Sequence, residues 1–440
     1  MKRMIIQLLG LFLAMGQFTS CSAEKVPDKS QSSDSNEPLS YETDPIVTSP
    51  EQAAAEHLMP VKYFSQRWEW DNEILLAVSE YSSVTLNEES TQRYPALAEA
   101  LVQTKNMEVR AMETEFENLL STAKVELAHL GADSFVAKSS TRDVQIRRAD
   151  SVAVSLLSDS FLVYGNINDR YLNGTTYDTA TGETLTITDI ITDMSKIPAI
   201  VKKELTSHTW TGDFFSDTAV EDYFRDIPDD GIVWTLDYYG VTFYFGNGDL
   251  AEIGRHEYLA ATVSFAEYPG LFNEKYMTAP DAYIVELPIT YPFYTDLDSD
   301  GTSEALQVAP VPDEGGLCYK AFEIHTDTDM QYYREDFPAV TAHRTGGYHP
   351  YYIKTADGRH YLYVFAEGSD AASSDMKLRV MDITGAGFHV VGDVHIAPGY
   401  VPIDGSWALT DPDNMMLENF ETQQEAAAYR VGNDGLPELK

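Results

Sequence analysis

The chain is poor in cysteine, in positive charge and in catalytic signatures. Only 2 of its 440 residues are cysteines, Cys21 and Cys318. With Cys21 read as a lipidated residue, no disulfide can form within the chain. Cys318, in Gly315-Gly-Leu-Cys-Tyr-Lys-Ala-Phe322, reads as a small buried residue of a strand. Lys and Arg number 30 against 70 Asp and Glu, a net charge of -40. That balance argues against nucleic acid and anionic membrane surfaces as partners, because like charges repel. It steers metal ions and basic proteins inward instead, and it also keeps an exported protein soluble. His256-Glu257 is followed by Tyr258-Leu-Ala-Ala261, so no His-Glu-x-x-His zinc motif forms there. Neither a Gly-x-Ser-x-Gly elbow nor a Gly-rich phosphate loop is present. His325, Asp327 and Asp329 alternate and could ligate a metal, but alternation on an exposed strand explains them equally well. Acids are so abundant that no carboxylate pair for glycoside hydrolysis stands out. No catalytic residue is therefore assigned.

The N-terminus reads as an export signal. Lys2 and Arg3 precede an apolar run from Met4 to Gly16, broken only by Gln7. The run is too short to span a bilayer as a mature helix. Phe18-Thr-Ser-Cys21 resembles a bacterial lipobox, with Phe18 where a Leu-like residue is usual. On this reading residues 1–20 are removed and a lipid on Cys21 anchors the protein to the outer side of the cell membrane. Removing Lys2 and Arg3 leaves 28 − 70 = −42 on the mature chain. Residues 21–60 are Ser, Asp, Glu and Pro-rich and read as a disordered tether.

The sharpest local pattern is Asp296-Leu-Asp-Ser-Asp-Gly-Thr-Ser-Glu304. Alternate carboxylates on a tight turn converge on one point, and Gly301 permits the turn. Asp296, Asp298, Asp300 and Glu304, with the Thr302 carbonyl, form a ligand set for calcium. An EF-hand would need Glu twelve residues into the loop, where Gln307 stands. The pattern resembles the short calcium loops of propeller blades and other extracellular repeats. Its expected role is structural, fixing a turn. The competing reading is a polar turn in an acidic protein.

Ahead of this loop the sequence reads as α+β. Ile74–Leu86 reads as a strand. Tyr94-Pro95 opens a helical pattern carried by Leu97, Leu101, Met112, Phe116, Leu119, Ala123, Leu127 and Leu130, with Gly131 as its stop. It reads as one helix, or two broken near Asn106. Strands are expected at Ser151–Leu157 and Phe161–Tyr164, then a hairpin over Tyr177–Ile191 turning at Thr181-Gly182. A second helix over Asp193–Leu205 follows, then two strands within Ile232–Phe245 and one at Ala260–Phe265. The order Tyr177-Asp178…Thr181-Gly182-Glu183, Thr188-Asp189, Val241-Thr-Phe-Tyr-Phe245 and Ala261-Thr-Val-Ser-Phe265 resembles the extracytoplasmic domain of RsiV-like anti-sigma factors. A similar domain precedes the catalytic domain of some peptidoglycan deacetylases. The resemblance covers roughly residues 65–275. It implies an antiparallel sheet packed with one or two helices, and its best-understood member binds lysozyme. The sigma-binding segment, the transmembrane helix and the deacetylase catalytic domain have no counterpart here. No ligand-contacting residue carries over.

Residues 61–287 are thus expected as this α+β domain and 288–420 as a mainly-β domain. In the latter, Tyr351–Phe365 reads as a hairpin turning at Asp357-Gly358, followed by strands at Leu378–Ile383 and Phe388–Val394. Ala305–Val308 with Tyr319–His325 adds a further pair. This meander resembles a propeller blade. Residues 421–440 read as a polar tail. The 27 tyrosines cluster at Tyr238-Tyr239, Tyr332-Tyr333 and Tyr348–Tyr352. Such rings stack on sugars or anchor interfaces, or else fill strand faces. These features point to a lipid-anchored binding or sensor protein of a Gram-positive-type envelope. Its expected partner is a basic, lysozyme-like protein or a wall glycan. A calcium-dependent envelope hydrolase with paired carboxylates, or a structural spacer, stands as the alternative.

Overall fold

The computed structural model describes residues 54–164, 167–207, 216, 218–246, 248–250, 259–289, 291–312, 318–326, 332–340, 347–367, 376–401, 405–422 and 424–440. The export signal, Cys21, most of the tether, His256-Glu257, Asp327 and Asp329 lie outside the described residues.

Strands β1 (Pro60–Asp71) and β2 (Ile74–Leu86) form a hairpin. Asn72 turns it at φ 55, a left-handed conformation Asn tolerates. After α1 (Glu88–Arg93), capped by Asn87, comes α2 (Pro95–Leu130). It is one unbroken helix of 36 residues, opened by Pro95 and stopped at Gly131. α2 carries the chain back to β3 (Lys138–Ala149), which pairs parallel with β2. β4 (Ala153–Tyr164) and β5 (Ile167–Asp178) complete an antiparallel meander. The sheet is therefore mixed rather than antiparallel. The parallel pair follows from the long crossover helix, since adjacent strands joined that way run in the same direction.

The expected break within 151–164 is absent, and β4 runs straight through it. β3 escapes the hydrophobic pattern altogether, because its sequence, KSSTRDVQIRRA, is mostly polar. The second arm of the hairpin at Thr181-Gly182 is only an isolated bridge, Tyr177 to Thr184. A capping box between Thr186 and Asp189 then turns the chain into α3 (Ile187–Ile190).

Helices α4 (Ile197–Ser207) and α5 (Ala219–Asp226) pack on an antiparallel sheet of β6 (Trp234–Leu236), β7 (Gly240–Phe245) and β8 (Leu259–Ser264). This sheet sits directly on β5. A Cβ at Gly174 would lie 1.8 Å from the Trp234 carbonyl oxygen, so only glycine fits there. Next come α6 (Glu274–Met277) and β9 (Tyr283–Glu286).

Beyond residue 287 the described residues form strands and their connections, with one 3-10 turn at Thr384–Ala386. One sheet contains β10 (Phe293–Thr295), β11 (Glu304–Pro312), β12 (Cys318–Thr326), β13 (Tyr332–Glu335) and β14 (Ala339–Val340). A second contains β15 (Tyr348–Lys354), β16 (His360–Glu367), β17 (Met376–Asp382) and β18 (His389–Val394), with β9 on its other edge. β19 (Ile396–Pro398) precedes β20 (Tyr400–Val401) and β21 (Gly405–Trp407), and β21 pairs with β1. β22 (Met415–Asn419), β23 (Gln424–Val431) and β24 (Pro437–Leu439) join β19 in a last sheet.

The meander is not a propeller blade. It is the middle layer of a stack. Leu306, Phe322 and Ile324 pack on one of its faces, through Tyr352, Leu362 and Val364. Ile396, Met415, Leu417 and Tyr429 pack on the other, through Ile353, Tyr361, Tyr363 and Phe365. Burial on both faces explains why Tyr348, Tyr352, Tyr361 and Tyr363 are core residues rather than surface stacking platforms. Residues 421–440 are not a loose tail either. They hold β23 and β24, and the Gly435 carbonyl accepts the buried Tyr363 hydroxyl. Strand pairing also crosses residue 287 in both directions, through β9 with β15 and β21 with β1.

A register shift in β3 between Ile146 and Arg148 buries two consecutive arginines. Arg147 grips Asp237 with Nε and Nη2 at 3.1 and 3.0 Å, and donates to the Glu286 carbonyl at 3.2 Å. Arg148 pairs with Asp150 at 2.8 Å and donates to the carbonyls of Tyr276 and Thr278. Nearby, Lys62 Nζ lies 3.1 Å from both Asp143 and Glu286. Burial alone would lower the Arg147 and Lys62 pKa values, but the facing carboxylates outweigh it and hold both cations charged. These contacts tie β1 and β3 to the β6–β7 turn and to β9.

Candidate functional site

The loop 296–303 joins β10 to β11, with Thr295 and Glu304 facing each other across the pair. Ser299 and Gly301 take φ of 63 and 93, which bends the chain around the carboxylates. Backbone amides then orient the side chains. Asp300 N donates to Asp296 Oδ1 and to Asp298 Oδ1, each at 3.1 Å. Gly301 N donates to Asp296 Oδ2 at 3.1 Å. Thr302 donates its amide and its hydroxyl to Asp300 Oδ1, at 2.8 and 2.5 Å. Glu304 Oε2 accepts the Leu297 amide at 2.6 Å.

The result is one oxygen from each of Asp296, Asp298, Asp300 and Glu304, all within 4.8 Å of one another. Calcium binds oxygens at about 2.3–2.6 Å, so ligands on opposite sides of one ion stand about 4.6–5.2 Å apart. The cluster matches that span, and its hard carboxylate oxygens are the ligands such an ion prefers. Thr302 enters through donors that orient Asp300.

The loop has a firm base. Leu297 is fully buried between the sheets, and its carbonyl accepts Gly385 N at 3.0 Å. Asp298 and Asp300 face solvent, whereas Glu304 is buried. Burial pushes the Glu304 carboxyl up to about 7, and the fields of Asp298, Asp296 and Asp300 add to it against the Leu297 amide. Asp300, held by the Thr302 hydroxyl and amide, is lowered. Burial raises Tyr239, and Asp296, Glu267 and Glu304 contribute to the rise.

A second acidic group, unread in the sequence, adjoins the loop. Ser303 Oγ reaches Glu267 at 3.5 Å. Tyr268 donates to Glu204 at 2.7 Å, and Lys203 Nζ donates to the Tyr268 hydroxyl at 2.7 Å. Burial raises the Glu267 pKa, and Glu204 adds to the shift. No spacing rule links residues 203–204 to 267–268, which meet only through packing of α4 on β8. His325 stands on β12, 3.6 Å from Glu323, and burial lowers its pKa.

No protein-family model matches the sequence, and no curated protein does. Several solved structures are similar in part, two of which follow. A member of the DUF3298 family from Bacteroides fragilis is 10% identical, with a TM-score of 0.37, over 50% of this chain and 96% of that one. A DUF3298 family protein from Pseudomonas aeruginosa is 13% identical, with a TM-score of 0.33, over 50% of this chain and 97% of that one. No helix among the described residues is long and apolar enough to cross a membrane.

The Glu304 shift fixes a pH dependence for the cation-free protein. The folded pKa lies above the ordinary glutamate value, so the native state binds the proton more tightly than the unfolded chain. The stability this contributes is complete below about pH 4.5 and is lost as pH rises through about 7. Thermal melts in chelator should show Glu304→Gln stabilising the protein at about pH 8 relative to wild type, with the gap closing at about pH 5. A gap of equal size at both pH values would contradict the assignment.

Proposed function

We propose that this is an extracytoplasmic binding protein, anchored by lipid on Cys21, whose calcium-fixed, acidic surface recognises a basic protein of the lysozyme type. The observation that carries this reading is where the charges lie. Cations are outnumbered 70 to 30, and Lys62, Lys138, Arg147 and Arg148 are buried in ion pairs with carboxylates. The remaining cations face an excess of exposed acids. Such a surface draws a basic partner in and repels anionic ones. Calcium at Asp296, Asp298, Asp300 and Glu304 serves as a staple, neutralising a carboxylate cluster that would otherwise strain the β10–β11 loop.

The staple predicts that calcium raises the melting temperature at about pH 7.5, and that Asp298→Ala removes most of that rise. A wild-type melting temperature unmoved by calcium would contradict it. For the partner, association with hen-type lysozyme should be measurable at low ionic strength. It should weaken at least about tenfold when salt shortens the screening length from about 14 Å to about 4 Å. Absence of binding at low salt, or equal affinity at both salts, would sink the recognition reading.

A further inference from the structure

Helix α2 does not rest on its sheet along its whole length. Its buried residues fall in two groups, Leu97–Leu101 and Met112–Ala123, with none between Leu101 and Met112. The first group packs on Val84, Val144 and Leu156; of the second, Phe116, Leu119, Leu120 and Ala123 pack on Leu76 and Ala77. Glu108, Met112 and Glu115 follow at steps of four and three, so they share the face that looks down on the sheet. An amphipathic helix would place apolar residues there. Beneath them lies a cleft of about 220 Å³, whose walls include Ser140, Arg142, Ser158, Ser160, Tyr171 and Asn173.

The cleft carries two carboxylates, Glu108 and Glu115, against one guanidinium, Arg142. Arg142 Nη1 stands 3.6 Å from Glu108 Oε1, an ion pair longer than a hydrogen bond. Arg142 Nε donates to Ser160 Oγ at 3.1 Å, and Ser140 donates to Glu115. Thr104 and Tyr177, joined by a 2.8 Å hydrogen bond, line a separate, smaller pocket that shares Glu108 and Ser158 with the cleft. At the mouth, Tyr171 is 58% exposed, a large ring held on β5 with no core to fill. A helix that gives up apolar contact over three turns for such a lining departs from its own pattern where function is expected.

We propose that the cleft between α2 and β3–β5 binds a neutral sugar ring of a glycan chain. The excess of carboxylate over guanidinium disfavours an anionic ligand, and the carboxylate oxygens accept hydroxyl protons from a neutral one. A pyranose presents hydroxyls on its rim and C–H groups on its faces. The serines, Asn173 and the two glutamates match the rim. Tyr171 and Met112 match the faces. The volume suits one ring, with the chain continuing past Tyr171 into solvent. This inference is independent of the acidic-surface reading and differs from it in salt dependence.

The test titrates the protein with tetrameric β-1,4-linked N-acetylglucosamine and, separately, with cellotetraose, in about 0.5 M NaCl, where ionic recognition is screened. One of the two should bind wild type. Tyr171→Ala, at an exposed position, should weaken it about tenfold without moving the melting temperature, and Glu108→Gln should weaken it by a similar factor. The inference fails if neither oligosaccharide binds, or if both variants bind as wild type does. Failure here leaves lysozyme binding at low salt intact, and the reverse also holds.

Discussion

The structure depends on two arginines that a bulge in β3 drives into the interior. A regular strand would send consecutive side chains to opposite faces. The shift between Ile146 and Arg148 instead buries both guanidinium groups, which must then be matched by carboxylates and carbonyls. Their partners come from far along the chain, Asp237 from the β6–β7 turn and the Glu286 carbonyl from β9. Lys62 adds the same kind of link from β1 to Glu286. Bidentate geometry demands precise placement, so these pairs hold the relative positions of three sheets as well as stabilising them.

This arrangement sorts the cations by depth. Lys62, Lys138, Arg147 and Arg148 are used inside as connectors, while Arg93, Arg225 and Arg430 pair with acids at the surface. The Asp296–Glu304 loop gathers four carboxylates at one point. It is built on the buried Leu297 and the buried Glu304, so an ion held there would act on the join between β10 and β11. The neighbouring Glu204–Tyr268–Lys203–Glu267 group extends the acidic region across to α4. The cleft under α2 lies elsewhere, lined by hydroxyls as well as carboxylates, and suits a different chemistry.

Helix α2 was legible because its apolar spacing, Pro95 and Gly131 all agree. The convergence of the Asp loop's carboxylates was legible because their alternation survives as spacing in the sequence. β3 was not, because what it buries is Lys138, Arg147 and Arg148, whose partners no local pattern announces. The tyrosines of β15 and β16 could be read as filling strand faces, and they do so on both faces because a third sheet covers the meander's second one. β23 looked like a tail because it is only half-buried and correspondingly polar. The gap in the apolar face of α2 is visible in the sequence at Glu108, but its meaning needs the serines of β3 and β4 beneath it.

The buried arginine network makes the chain one cooperative body across residue 287, and calorimetry of wild type and Asp237→Ala tests that most directly. Wild type should unfold in a single transition. Asp237→Ala, which strands Arg147 in the interior, should lose about 3–5 kcal/mol of stability. Two well-separated wild-type transitions, or a variant that melts with wild type, would contradict the account.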